Sequence, residues 1–321
     1  MSTAYPLVSV GIPVYNGQNY LAEAIESILA QSFEDLELII SDNASTDATS
    51  EICREYTARD ERIRYVRNDK NLGAAHNYNQ LVHMADGRYF KWHAHDDVCA
   101  PTFIEKCVAV LEADPDVVLC FTQTDGIDES GNVFRSYDNT MEADGDQPWK
   151  RFYATACQRH NMTASMTFGL MRAEVLRKTH MIGAFSSADR VLVGELALHG
   201  RIQMIPEVLF FKRDHPQVHW MLYKTRQQRI AWYDPTQKDT RTFPHWRLMQ
   251  EHLVSLGNAP LSTGERLKSY AAMTFWLRYN WRHLLKNLIG SEVHHNPPRQ
   301  NTNFVSEESV SNLLGVESQE E

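Results

Sequence analysis

Residues 7–17 read LVSVGIPVYNG, and this stretch decides the fold. Leu7 to Val14 is rich in Val, Leu and Ile, which predicts a buried strand, and the residues up to Gly17 predict a turn. Apolar residues then recur at helical spacing as far as Leu29, and a second apolar stretch covers Leu36 to Ser41. A strand, a helix and a second strand in close succession indicate a βαβ unit and therefore parallel strands.

The alternation of strands and helices continues over about the first 120 residues. We expect further strands over Ile63 to Val66, Tyr89 to Trp92 and Val117 to Phe121, separated by helices around Ile52, from Asn71 to Met84 and from Pro101. Beyond them we expect a hairpin or surface excursion over 122–147, a strand over Met162 to Met171, a helix over Ala188 to His199, and one or two strands over Ile202 to Phe211. The predicted fold class is α/β, with a mostly parallel, doubly wound sheet.

Composition divides the chain into three segments. Residues 1–215 are predicted to form the α/β domain, in two parts that meet at residues 121 and 122. Residues 216–290 are aromatic and basic and predict two or three appended helices, while residues 291–321 are polar and acidic and predict a disordered tail.

Charge and cysteine usage exclude several classes of protein. The net charge of -9 argues against a nucleic-acid partner, and 43% hydrophobic residues are enough for a large core. The five cysteines are odd in number and contain no CxxC pair, so we expect no disulfide framework and no structural zinc. A cytoplasmic location fits, because neither a signal peptide nor a long apolar span is evident in the sequence.

Acidic residues follow several of the predicted strands. Asp42 ends one strand and is suited to accept hydrogen bonds from a base or a ribose, although taken alone a turn or cap role is the more typical one for Asp. Asp96 and Asp97 follow another strand, and adjacent carboxylates repel each other unless a cation lies between or beside them. This favours a Mg²⁺ or Mn²⁺ site completed by substrate phosphates, with a solvated acidic turn as the alternative. Asp189 begins a predicted helix, where a capping role competes with catalysis.

Other polar residues extend this candidate site. Asn71, Gly73 and Asn77 lie on a loop and the first turns of a helix, where a sugar phosphate can approach closely. His215 follows an apolar strand and is a candidate metal ligand or phosphate contact, with a surface turn as the alternative. His93 and His95, beside Asp96, are candidate hydrogen-bond donors to the residues that would hold the metal.

Four motifs in order carry a family resemblance. They are Val8 to Asn16, Ser41 to Asp47, Asn71-Leu72-Gly73 with Asn77, and Asp96-Asp97, and together they resemble the GT-A-fold glycosyltransferases of family two. The resemblance implies a nucleotide-diphosphate sugar as donor, with a UDP-sugar favoured, a Mn²⁺ or Mg²⁺ ion, and inversion at the anomeric carbon. It makes 1–121 the nucleotide-binding part and 122–215 the acceptor part.

The resemblance also implies roles for individual residues. Pro13, Tyr15 and Asn16 would border the donor base, and Asp42 would hold the base or ribose. Asp96 would face the ribose or sugar, Asp97 would hold the metal, with His215 as a late ligand, and Asp189 would be the catalytic base.

The sequence departs from the family pattern at two positions. Ala94 and Ala188 stand where the family often has an acidic residue, which keeps open a non-catalytic nucleotide-sugar-binding protein. A nucleotidyltransferase is a further alternative, although the N-terminal region lacks a Gly-rich, Lys/Arg-bearing phosphate loop. The family implies a saccharide or lipid-linked acceptor and a role in polysaccharide or glycoconjugate synthesis. The aromatic and basic C-terminal helices are suited to three contacts: the inner membrane face, a second copy of the chain, or the main domain.

Overall fold

The computed structural model describes residues 5–137, 141–157, 163–223, 225–237 and 243–288. Its strands are β1 (Val8–Val14), β2 (Leu36–Asp42), β3 (Ile63–Arg67), β4 (Tyr89–Trp92), β5 (Val98–Cys99), β6 (Val117–Ile127), β7 (Val133–Ser136), β8 (Leu170–Arg172) and β9 (Arg201–Arg213). Its helices in the first domain are α1 (Leu21–Leu29), α2 (Thr49–Arg59), α3 (Ala74–Met84), α4 (Phe103–Ala113), α5 (Pro148–Phe152), α6 (Thr163–Met166), α7 (Ala173–Leu176) and α8 (Ala188–His199). A π-helical turn at Tyr153–Cys157 follows α5.

Within these ranges the strands form one nine-stranded sheet, in the order β3-β2-β1-β4-β8-β6-β9-β5 with β7 paired to β6. β1 to β4 are parallel, β8 runs antiparallel between β4 and β6, and β9 is parallel to β6. Six strands, β1 to β4, β6 and β9, therefore point the same way, and their carboxyl ends share one edge of the sheet. The α/β prediction is confirmed, since the sheet is mixed and helices cover both of its faces.

Apolar residues on the two faces of the strands explain the doubly wound arrangement. β1 is buried along its whole length, and its residues Val8, Val10, Ile12 and Val14 pack in one core with α1 and α4. Ile39, Phe90 and Trp92 pack in a second core with α3 and α8. Gly11 lets α3 approach β1 closely, because a Cβ there would lie 3.0 Å from the Cβ of Leu81. A helix on each face leaves the carboxyl edge of the sheet for the site.

Two local predictions are wrong. The stretch from Met162 to Met171 is not one strand: α6 and β8 divide it, and Met162 lies outside the described residues. An apolar run is buried equally well as a helix or a strand, so the pattern did not separate them. Pro101 does not lie in the first turn of α4, because that helix begins at Phe103, and the Pro101 carbonyl instead accepts a hydrogen bond from the Ser32 amide at 2.8 Å.

In the described residues four helices follow the sheet: α9 (His219–Leu222), α10 (Arg226–Tyr233), α11 (Pro244–Asn258) and α12 (Thr263–Leu288), with a 3₁₀ turn at Pro235–Gln237. The prediction for 216–290 was two or three helices, and the additional one is the four-residue α9. α11 and α12 pack against α5 and α8 through Phe152, Leu248 and Trp276. None of the helices in the described ranges is both long and apolar enough to cross a bilayer. The tail at 291–321 lies outside the described residues, and the domain boundary at residue 215 stays a prediction.

Candidate active site

The predicted acidic residues gather at the shared carboxyl edge of the sheet. Asp42 is the last residue of β2, and Asp96 and Asp97 follow β4. His215 follows the end of β9, where its ring contacts Asp96. Strands distant in the sequence thus bring these side chains together, as the fold class implies.

Asp42 is held rigidly at the end of β2. It is fully buried; one carboxylate oxygen accepts from the Ser45 amide at 2.7 Å, and the other accepts from Tyr65 Oη at 2.9 Å and Arg67 Nη1 at 2.8 Å. These bonds fix its orientation and use much of its acceptor capacity. Its contact with a base or ribose stays a prediction.

The loop after β1 is clamped to the loop after β2. The Asn16 amide donates to Ser45 Oγ at 2.9 Å, and Asn16 Oδ1 accepts from the Thr46 amide at 2.8 Å. Asn16 has φ of 55°, a conformation that Asn tolerates better than most residues. Pro13 is buried in β1, whereas Tyr15 is exposed and free of intramolecular hydrogen bonds among the described residues. Tyr15 is therefore the member of this motif that is available to a ligand.

An amide network supports the third motif. Asn71 Oδ1 accepts from Asn43 Nδ2 at 3.0 Å and from the Gly73 amide at 2.9 Å. Asn77 is buried; its Oδ1 accepts from Ser41 Oγ at 2.6 Å and its Nδ2 donates to the Ser41 carbonyl at 2.9 Å. Asn77 thus supports the end of β2, and its contact with a donor stays a prediction.

Gly73 joins this loop to the C-terminal helices. Its φ is +87°, and a Cβ there would lie 2.4 Å from the carbonyl oxygen of Tyr233 at the end of α10. Only glycine combines this conformation with so close an approach. The helical region therefore contributes to the candidate site.

Asp96 and Asp97 differ in their electrostatic surroundings. Burial acts to raise the pKa of Asp96, but His95 and the hydrogen bond from His215 Nε2 at 3.0 Å outweigh it, so this pKa lies below the ordinary value of 3.8. Burial and the charge of Asp96 raise the pKa of Asp97 to about 7, although its Oδ1 accepts from the Arg213 amide at 2.9 Å. A buried carboxylate beside a second carboxylate favours a nearby cation.

These residues fit a sparse divalent-metal site. His215 Nδ1 is buried and has no hydrogen-bond partner among the described residues, while its Nε2 bonds Asp96. A histidine that binds a metal typically donates its other N–H to a carboxylate, which is this arrangement. No cluster of three or more His, Cys, Asp or Glu side chains suited to a metal occurs in the described ranges. Asp97 and His215 alone suit Mn²⁺ or Mg²⁺, which bind through few protein ligands and complete their shell with phosphates and water.

Arg213 was missed by the sequence reasoning and organises the whole loop. Its side chain is buried, and it donates from Nε to the Asp96 carbonyl at 3.0 Å, from Nη1 to the Asp128 carbonyl at 3.0 Å and from Nη2 to Glu23 Oε2 at 2.6 Å. One guanidinium thus ties together the loops after β4 and β6 and the first turn of α1. A lone Arg after an apolar strand gives no signal of this in the sequence.

Asp189 lies at the start of α8, within electrostatic range of residues that also sense the aspartate pair. The preceding Ser187 adopts a left-handed conformation with φ of 68°, and Asp189 lies in the first turn of the helix. Burial raises its pKa, whereas Arg190 and, to a smaller extent, Lys212 lower it; Lys212 likewise lowers the pKa of Asp97. Apart from burial, the pKa of Tyr78 is raised by the charges of Asp96, Asp97 and Asp189 together. The charge of Lys212 therefore acts on both Asp97 and Asp189, and the Tyr78 phenol is affected by all three aspartates.

The two candidate histidines lie in different surroundings. His93 is fully buried, its amide donates to the Gly11 carbonyl at 2.9 Å, and burial together with Lys91 holds its pKa well below 6.5. It is a neutral core residue that continues β4, and a hydrogen bond with the Asp97 backbone links it to the loop. His95 does lie at the site edge, against Gly17.

Three comparisons place this geometry among known proteins. The family model named Glycosyl transferase family 2 matches residues 9–179, more than half of the chain. An uncharacterized glycosyltransferase of Methanocaldococcus jannaschii is 37% identical over 134 residues, which cover 41% of this chain and 46% of that protein. The chain therefore spans about half the length of this relative.

Solved structures agree on the fold. S. aureus TarS 1–349 in complex with UDP-GlcNAc superposes with a TM-score of 0.62 at 15% identity, over 88% of this chain and 79% of that one. The mannosyltransferase PcManGT of Pyrobaculum calidifontis in complex with GDP-Man and Mn²⁺ superposes with a TM-score of 0.52 at 17% identity, over 90% and 89%. At these identities the likeness concerns the fold, which is that of the GT-A glycosyltransferases.

Proposed function

The chain belongs to glycosyl transferase family 2, and from this premise we propose that it is a metal-dependent inverting glycosyltransferase. It moves a single sugar from a nucleotide-diphosphate sugar, with UDP-sugars favoured, to a hydroxyl of a saccharide or lipid-linked acceptor. The observation that carries the proposal is twofold: Asp97 and His215 lie at the carboxyl edge of the sheet, where His215 is hydrogen-bonded to Asp96, and the charges of Asp97 and Asp189 both act on Tyr78.

The donor binds across the loops that follow β1, β2, β3 and β4. Tyr15 is the exposed ring available to the base, and Asp42 is the fixed acceptor at the end of β2. Asn71 and Gly73 shape the loop where the backbone can approach the phosphates. Asp96, which is bonded to His215, faces the ribose or sugar.

Asp97 and His215 are the residues that would hold a Mn²⁺ or Mg²⁺ ion. A bound ion neutralises the negative charge that develops on a departing diphosphate. Lys212 adds a cation at the same place, since its charge acts on Asp97 and on Asp189. Arg213 keeps the Asp96-Asp97 loop in position through its contacts with three segments.

Asp189 accepts the proton of the attacking hydroxyl. The acceptor oxygen forms a bond to the anomeric carbon, the bond from that carbon to the diphosphate oxygen breaks, and the hydroxyl proton goes to the Asp189 carboxylate. One displacement of this kind inverts the anomeric configuration. Burial raises the pKa of Asp189, which makes it a stronger base, and the charges of Arg190 and Lys212 oppose this rise.

A donor screen tests the proposal. The purified chain is incubated with Mn²⁺ and UDP-, GDP- and dTDP-sugars across an acceptor panel, and release of nucleoside diphosphate is measured with and without a chelator. We expect release that depends on the metal and is lost in Asp97→Asn. Asp86→Asn is the matched control, because Asp86 is an exposed turn residue whose partner is Arg64 at 3.4 Å.

The alternatives predict other results. Activity that survives both the chelator and Asp97→Asn contradicts the proposal. Nucleotide-sugar binding by calorimetry without turnover across the panel favours a non-catalytic binding protein, for which Ala94 and Ala188 are the motivation. Release of pyrophosphate favours a nucleotidyltransferase.

A further inference from the structure

The outer face of α12 carries an apolar stripe. Its inner face packs into the protein through Ala272, Met273 and Trp276. Large apolar side chains are exposed along the outer face at spacings of three or four residues, apart from one gap of seven between Tyr270 and Leu277, and the exposure is 52% for Leu285 and 50% for Trp281: Leu267, Tyr270, Leu277, Trp281, Leu285 and Leu288. An anchored helix with such an exposed apolar stripe marks an interaction surface.

Cations run along one side of this stripe. Arg278, Arg282 and Lys286 each follow a stripe residue directly and are spaced four apart, so they form a row on the helix surface. Arg282 lies 5.3 Å from the ring centroid of Trp281. From Arg266 to Leu288 the sequence contains no Asp or Glu, although the whole chain has a net charge of -9. The basic character is therefore confined to this helix rather than general.

The charges decide between the two occupants that suit an apolar helix face. A second copy of the chain would bring one row of cations against another, with no acidic residue of α12 between Arg266 and Leu288 to pair with it. An anionic surface pairs with all the cations at once and receives the apolar side chains below its headgroups.

We propose that α12 binds the surface of an anionic lipid bilayer, with the apolar stripe inserted at the headgroup level and the cation row against the lipid phosphates. The helix lies in the plane of the surface and does not cross it, in agreement with the membrane-span finding above. Membrane binding by α12 does not depend on donor binding or catalysis, so this proposal is independent of the proposed function.

Vesicle co-sedimentation of the full chain tests it. We expect binding to phosphatidylcholine vesicles that contain phosphatidylglycerol, weak binding to phosphatidylcholine alone, and loss of binding as salt rises. Arg278→Ala/Arg282→Ala should lower the partition coefficient by about thirtyfold, at about 1 kcal/mol for each cation near the surface. The matched control is Arg54→Ala/Arg59→Ala on α2, which changes the net charge equally at exposed side chains paired with Glu51 and Glu55.

A second pair of variants tests the apolar stripe. Trp281→Ser should lower the partition coefficient, whereas Tyr5→Ser should not, although Tyr5 is 73% exposed. Circular dichroism checks that each variant keeps its fold. Equal loss in the α2 control, or no preference for anionic vesicles, overturns the proposal. A dimer in sedimentation velocity that Trp281→Ser dissociates, without vesicle binding, also overturns it and assigns the stripe to a second copy.

Discussion

Replacing Arg213 tests how far one buried guanidinium organises the site. Arg213→Met removes the donors to the Asp96 and Asp128 carbonyls and leaves Glu23 without its 2.6 Å partner. It also removes the cation 4.8 Å from the Tyr20 ring centroid. Met is shorter than Arg, so the substitution keeps an unbranched apolar stem and removes the guanidinium with its hydrogen bonds and charge.

The size of the effect follows from burial. An unsatisfied buried carbonyl costs about 1–3 kcal/mol, and breaking a buried ion pair costs about 3–5 kcal/mol. Because Glu23 is partly exposed and can rehydrate, we expect Arg213→Met to lower the free energy of unfolding by about 3–5 kcal/mol in total. Arg213→Lys keeps the charge but loses the planar fork, so we expect about half of that loss.

Urea unfolding and donor titration measure the two consequences. The unfolding free energy reports the stability loss, and calorimetry with UDP-sugar and Mn²⁺ reports whether the Asp96-Asp97 loop has moved. We expect kcat/KM to fall by about a hundredfold, since a small displacement of a catalytic group has this cost. Arg62→Lys, at a partly exposed pair with Asp60, is the control and should cost under about 1 kcal/mol. If Arg213→Met unfolds within about 1 kcal/mol of the wild type and binds donor normally, the assigned role is refuted.

Three further predictions concern backbone, pH and charge. Gly73→Ala should lose about 1–3 kcal/mol in urea unfolding, because φ is +87° and the new Cβ would meet the Tyr233 carbonyl. Burial and Arg190 lower the pKa of His252 to about 3 from 6.5, so below pH 6.5 the unfolded state binds a proton that the folded state does not, and stability falls as pH falls. Between pH 6.5 and pH 5, the free energy of unfolding of His252→Leu should therefore fall by about 2 kcal/mol less than that of the wild type. Lys212→Met should move the acid limb of the kcat/KM profile to higher pH, since Lys212 lowers the pKa of Asp189.

Matched variants keep these predictions specific. Gly264→Ala should not destabilise, because no atom lies within 4 Å of a Cβ placed there; equal losses at the two glycines would contradict the steric argument. His76→Leu changes an exposed histidine and should leave the acid sensitivity unchanged. An acid limb that stays in place in Lys212→Met would separate Lys212 from Asp189.

The sequence predicts the first half of the fold well because local rules apply there. β1 and β2 are buried along almost their whole length and are rich in Val, Leu and Ile, which is typical of buried parallel strands. Farther along the chain, the helix from Ala188 to His199 also has the predicted bounds. The stretch from Met162 to Met171 was misread because an apolar run reports burial and not backbone conformation.

The residues of the candidate site also divide into those that a local sequence pattern predicts and those that it does not. Asp42, Asp96 and Asp97 were found because a strand followed by an acidic turn is a local pattern. Arg213 and Lys212 were missed, since their partners lie on loops far away in the sequence. His93 was assigned to a loop because sequence does not show that its amide extends the pairing of β4 with β1.

Asp189→Asn tests the central claim most directly. The side chains are nearly isosteric, so calorimetry should show donor binding close to that of the wild type. In the presence of the acceptor, the rate of nucleoside diphosphate release should fall by about a hundredfold or more, because a general base contributes a factor of about 10²–10⁴ to the rate. Donor binding retained with transfer lost is the predicted result. Transfer at the wild-type rate by Asp189→Asn would contradict the account.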